Sequence, residues 1–119
     1  MFETILKTLI NNPWDSGIEK SISKYFNSHK KESCEIKFRR SDNFDSISYR
    51  RKTKNIDYSW KYEKTVDVNR DMKVCDIFAE FADKYNRKNS DFLQYTQTRH
   101  WEDDDMECSL RNENFRKRN

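Results

Sequence analysis

The chain has 119 residues with 24 basic and 21 acidic side chains, a net charge of +3, so it fits one domain with a two-signed surface and not an obligate nucleic-acid-binding polycation. Its single glycine, Gly17, excludes the phosphate-cradling loops of P-loop and dinucleotide-binding proteins, and one Gly with one Pro leaves no low-complexity linker. A mean hydropathy of -1.24 would suit a disordered chain, but eight Phe, six Tyr and three Trp call for a thin aromatic core under a charged surface.

In chain order, Phe2, Ile5, Leu6, Leu9 and Ile10 recur at helical spacing and predict a first amphipathic helix. Asn11-Asn12-Pro13 ends it, because the residue before proline resists the helical region. Trp14, Ile18, Ile22, Tyr25 and Phe26 predict a second helix, capped by Asp15 or Ser16. Each is too short to persist in water alone and must pack on something apolar.

Cys34, Ile36 and Phe38 alternate with Glu35, Lys37 and Arg39, which predicts a first strand. Ser41-Asp42-Asn43 reads as a turn, and Ile47 and Tyr49 alternate with Ser46, Ser48 and Arg50 as a second strand. After the turn Thr53-Lys54-Asn55, the stretch Ile56–Val68 places Ile56, Tyr58, Trp60, Tyr62, Val66 and Val68 on one parity. At that length a bend, bulge or break is expected near Glu63-Lys64. The shared parity assigns Tyr58, Trp60 and Tyr62 to the seam beneath the helices and not to a base-stacking platform.

Val74, Cys75, Phe78, Phe81, Ala82 and Tyr85 lie on one face of a third helix capped by Asn69 or Asp71. Leu93–Trp101 fits either a strand or a helix, and Met106, Cys108 and Leu110 alternate as a short last strand. The expected fold is a two-layer α+β domain of order α-α-β-β-β-α-(β/α). Its antiparallel meander has three strands, or four or five if the last segments join, with helices packed on one face. Residues 1–111 form the domain and residues 112–119 a flexible basic tail.

The order α-β-β-β-α from Trp14 to Tyr85 resembles that of double-stranded-RNA-binding domains. The resemblance stops at the order. The loop Ser41–Asp45 has neither Gly nor Pro, and the helix opens N-R-D-M-K-V-C-D without a lysine-rich start, so the family is not assigned.

Cys34, Cys75 and Cys108 are odd in number and widely spaced, which suggests free buried thiols in a reducing compartment and no disulfide framework. The N-terminal segment lacks a basic n-region and a cleavage site, and no apolar run reaches the length of a membrane span. A cytoplasmic protein with no membrane partner is expected.

Lys37, Arg39 and Arg40 of the first strand face Arg50, Arg51 and Lys52 of the second across one turn, with Lys54 beyond, making a basic hairpin on the open sheet face. Glu102, Asp103, Asp104 and Asp105 form an acidic turn. Either patch suits a protein partner of opposite charge, with association that is fast and salt-sensitive. The basic hairpin also suits nucleic acid. His29 and His100, with Glu107 or Asp103, would make a ribonuclease-like acid/base pair only if the fold brought them together. No cysteine or histidine pair has zinc-ligand spacing, and no cofactor or metal is implied. The chain therefore reads as a small non-enzymatic binding protein. The leading expectation is a protein-binding inhibitor or neutraliser of the immunity type, or a phage-encoded antagonist of a host factor. A nucleic-acid-binding module is the alternative, and a small ribonuclease the third.

Overall fold

The computed structural model describes residues 1–13, 15–41, 43–66, 73–100 and 105–118. The elements run α1 (Phe2–Asn11), α2 (Gly17–Ser28), β1 (Ser33–Ser41), β2 (Phe44–Lys52), β3 (Asp57–Thr65), α3 (Lys73–Lys88), β4 (Gln94–His100), β5 (Asp105–Arg111) and α4 (Glu113–Arg118). The five strands form one antiparallel sheet in the order β3-β2-β1-β5-β4. The two-layer α+β architecture expected from the sequence is the one observed, and the ambiguous segment after Leu93 supplies two strands. Trp14, the helix-capping Asn69 and Asp71, Asp42, Val68 and Trp101 lie outside the described residues.

Period-2 alternation decides which side chains meet the helices. Cys34, Ile36 and Phe38 of β1, Ile47 and Tyr49 of β2, and Met106, Cys108 and Leu110 of β5 are buried on the helix side. From above, Leu6, Leu9 and Ile10 of α1, Ile18, Ile22, Tyr25 and Phe26 of α2, and all six apolar positions read for α3 close the core. α1 lies over β2, and α3 over β5 and β4. Asp15 Oδ1 accepts the Gly17 N–H at 2.8 Å and so tethers the start of α2.

Two asparagines replace missing backbone pairing. Asn86 Oδ1 accepts the Leu93 N–H at 2.7 Å and Asn86 Nδ2 donates to the Leu93 carbonyl at 2.9 Å, which fixes the connection from α3 into β4. Asn112 Oδ1 accepts from Cys34 N and Phe115 N at 3.1 and 3.0 Å, while its Nδ2 donates to the Glu32 carbonyl at 2.7 Å. Asn112 is thus the N-cap of α4 and a clamp on the start of β1.

Four expectations change. Residues 113–118 form α4 rather than a flexible tail, because Asn112 is buried and satisfies the helix start. Cys75 of α3 and Cys108 of β5 are joined as a disulfide across 33 residues of sequence, with Cα atoms 5.8 Å apart, and Cys34 alone is free. The pairing of β2 with β3 passes through Glu63 and Lys64 in unbroken register, without a bulge, and the strand ends at Thr65. Finally, the Tyr58, Trp60 and Tyr62 rings take the expected helix side but are not covered. β3 is an edge strand that α1 reaches only through side chains, Lys7 on the Tyr62 ring and Asn11 on Lys64, so Tyr58 is 44% exposed and Trp60 and Tyr62 are partly buried.

Candidate functional site

The open sheet face carries the other parity: Glu35, Lys37 and Arg39 of β1, Ser46, Ser48, Arg50 and Lys52 of β2, and Asp57, Ser59, Lys61 and Glu63 of β3. Glu107, Ser109 and Arg111 of β5 and Thr96 and Thr98 of β4 complete it. Charges alternate across the strands and pair. Lys37 Nζ lies 3.1 Å from Glu107, Arg39 Nη2 2.8 Å from Asp105, and Arg111 Nε 2.7 Å from Glu35. Arg50 grips Asp57 with two bonds of 3.0 and 2.8 Å. These fork-to-carboxylate bonds hold the Asp57 carboxyl below the ordinary carboxylate range and push the Arg50 guanidinium further up. Hydroxyls of Thr96 and Ser109 meet at 2.5 Å between the charged rows.

Four of the six residues read as one basic face, Lys37, Arg39, Arg50 and Lys52, do share it. Arg40 and Arg51 do not. They are sequence neighbours of Arg39 and Arg50, so the strand's alternation turns them to the helix side. There Arg40 makes a two-bond pair with Asp45, at 2.9 and 3.2 Å, and the Asp45 side chain is only 1% exposed. Arg51 binds Glu32 at the other end of the sheet, 3.0 Å away. Of the acidic turn, Glu102, Asp103 and Asp104 lie outside the described residues, and Asp105 begins β5 with its side chain against Arg39. The basic and acidic patches therefore meet, at one residue from each.

The histidines do not meet. His29 precedes β1 and pairs with Glu32, whereas His100 closes β4 opposite Asp105, at the far end of the sheet and about 20 Å away at strand spacing. Among the described residues, no three His, Cys, Asp or Glu side chains converge as a metal site. No helix is long and apolar enough to cross a membrane among the described residues. The Cys34 thiol is fully buried and contacts the His29 carbonyl at 3.6 Å, and burial pushes its pKa up to about 11. Such a thiol is inert rather than nucleophilic.

Two features escaped the sequence reading. The first is the acidic half of the open face, Glu35, Asp57 and Glu107. Parity was the available signal, since each alternates with the cations already singled out. The second is the uncovered aromatic strip of β3. Tyr49 and Trp60 rings lie 6.0 Å apart, Trp60 and Tyr62 stack at 6.4 Å, and the Lys7 ammonium sits 5.3 Å from the Tyr62 ring. A groove of about 570 Å³ also runs between α2 and α3, with Lys20, Lys24, Lys84 and Lys88 along it. No family model, no curated protein and no solved structure matches the chain.

Proposed function

We propose that this chain is a protein-binding inhibitor or neutraliser that docks its partner on the open sheet face. One observation carries the reading: the cations Lys37, Arg39, Arg50 and Arg111 each lie within 3.1 Å of a carboxylate on the same face. A polyphosphate gains affinity by releasing counterions from unpaired phosphates, and here it would have to displace built-in carboxylates and leave them facing its own charge. A protein surface carries both signs. It can place carboxylates against the guanidinium groups and ammonium groups against Asp57 and Glu107, exchanging pairs rather than losing them. Such an interface draws more on charge registry for specificity than for affinity. An immunity-type protein, or a phage-encoded antagonist of a host factor, acts in this way by occluding a surface.

The disulfide bears on where the chain acts. The cytoplasmic expectation rested partly on three free thiols and partly on the N-terminal segment and the want of a membrane-span-length run. A persistent Cys75–Cys108 bond argues against the first of these grounds, since such bonds belong to oxidising compartments.

Affinity capture from the native host, repeated with Arg39→Glu/Arg50→Glu, tests the proposal. A captured protein that is lost with the double variant supports it, and capture unchanged by the double variant overturns it. Filter binding of RNA and DNA across a salt series decides the alternative. A steep fall of log affinity with log salt, set by phosphate contacts, would replace the protein partner with nucleic acid.

A further inference from the structure

We infer that β3 is a self-pairing edge, and that two copies of the chain join through it into one continuous antiparallel sheet. Four observations lead there. β3 ends the sheet, and its pairing with β2 runs from Asp57 to Thr65 without a bulge, so its outer edge is long and straight. Among the described residues, no backbone hydrogen bond from another segment reaches that edge. Unpaired edges of this kind are templates for another strand unless something blocks them. The side chains along it are unusually apolar for a solvated edge: Ile56 is 49% exposed, Tyr58 44%, and Trp60 and Tyr62 are half-buried.

The fourth observation is charge complementarity, and it selects the occupant. Opposed residues in an antiparallel pair share a face, so two copies related by a two-fold axis must pair residues of equal parity. Three such registers align at least Ser59–Thr65 or an equally long part of β3. Centred on Trp60, the register opposes Asp57 to Glu63. Centred on Lys61, it opposes Lys61 to itself. Both put like charges face to face, which is destabilising. Centred on Tyr62, it opposes Lys61 to Glu63 of the second copy, and does so twice by symmetry. The same register places Tyr62 on Tyr62, Ser59 on Thr65, and Trp60 opposite Lys64, whose ammonium is held by Asn11 of its own chain. In the single chain Lys61 and Glu63 already sit 2.8 Å apart on one face, each more than half exposed, so they stand ready to exchange partners. Lys61, which would ordinarily protect this edge, finds its counter-charge on a second copy.

The helices leave room for this. The backbone of α1 lies chiefly over β2 and only its Lys7 and Asn11 side chains reach β3, so the outer edge of the strand stays clear of the helix. The open faces of both copies stay on the other side and become one surface. Lys61 and Glu63 lie on the open face as well, but outside the cluster of Lys37, Arg39, Arg50 and Arg111 that carries the proposed partner, so reversals at 61 and 63 and reversals at 39 and 50 are read separately, by self-association and by partner capture.

Sedimentation of the full chain over a concentration series tests it. Self-association to a dimer is expected, and a monomer at every soluble concentration overturns the inference. Lys61→Glu and Glu63→Lys should each weaken the dimer by about tenfold, since like charges then oppose each other twice. The combined Lys61→Glu/Glu63→Lys chain should restore it. A dimer indifferent to the single reversals, or not rescued by the double, overturns the register. Tyr62→Cys should cross-link to itself under mild oxidation, because the two-fold axis sets position 62 against position 62 at a separation a disulfide spans. Ser59→Cys should not, and the reverse outcome rejects the Tyr62-centred pairing. Both positions are solvent-accessible, and far-UV circular dichroism separates a failed pairing from a failed fold.

Discussion

At the β4–β5 end of the sheet, α3 lies across both strands and Cys75 is bonded to Cys108 beneath it. At the β3 end only the Lys7 and Asn11 side chains of α1 reach the strand, Tyr58 is exposed, and Trp60 and Tyr62 are only partly covered. Both ends began as similar alternating segments with aromatic or apolar residues on one parity. The difference is coverage, and it separates two uses of apolar surface. Under α3 it holds the chain together, while on β3 much of it remains accessible to something else.

The largest contrast should come from truncating one ring at each end. Phe78 of α3 is fully buried, and Phe78→Ala should cost about 3–5 kcal/mol by equilibrium denaturation. Trp60→Ala should cost less, about 1–2 kcal/mol, because its ring is only partly buried. Equal costs would mean that β3 is covered after all. Next comes the staple. The disulfide closes a loop of sequence separation 33, which the chain-entropy account values at about 3–4 kcal/mol. Reductant should lower the denaturation midpoint accordingly, and an unchanged midpoint would show the bond to be unformed.

Between the ends, Cys34 and the tyrosines set a pH limit. Burial raises the Cys34 pKa from 9.0 to about 11, and burial likewise raises those of Tyr25 and Tyr49. A group that holds its proton more tightly when folded contributes stability fully below its unfolded pKa and loses it as pH rises through the folded value. Stability should therefore fall between about pH 9 and 11, by about 2–3 kcal/mol for Cys34 alone. A flat denaturation midpoint over that window would show the thiol to be accessible. The smallest effect belongs to the open face. Arg50→Ala removes an exposed pair with Asp57 and should leave the denaturation midpoint nearly unchanged while weakening partner capture. A large stability loss would make this face structural rather than a docking surface.

Much of the fold was legible because local period carries it. The six α3 positions and the in-facing Cys34, Ile36, Phe38, Ile47 and Tyr49 followed from spacing alone. What failed depended on strand order. Tyr58, Trp60 and Tyr62 were assigned to the correct side, but whether a helix lies above them turns on β3 being an edge, and no local pattern states that. The Cys75–Cys108 bond depends in the same way on β5 lying beneath α3. The split of the basic cluster is a different case. Arg39 with Arg40, and Arg50 with Arg51, are adjacent, so the parity used for the core already sends them to opposite faces. That signal is present in the sequence, and the run of positive charge along the hairpin obscures it. The C-terminal helix had a local sign as well, Asn112 followed by Glu113, which is a cap with an acidic first turn.

The position of β5 has a consequence for synthesis. It is made after the other strands and is placed between β1 and β4, near the middle of the sheet. Until residues 105–111 leave the ribosome, β1 has one unpaired edge, β4 has no neighbour, and Cys75 has no partner. A ribosome paused before that point holds a nascent chain whose central strand is open to pairing with a wrong partner.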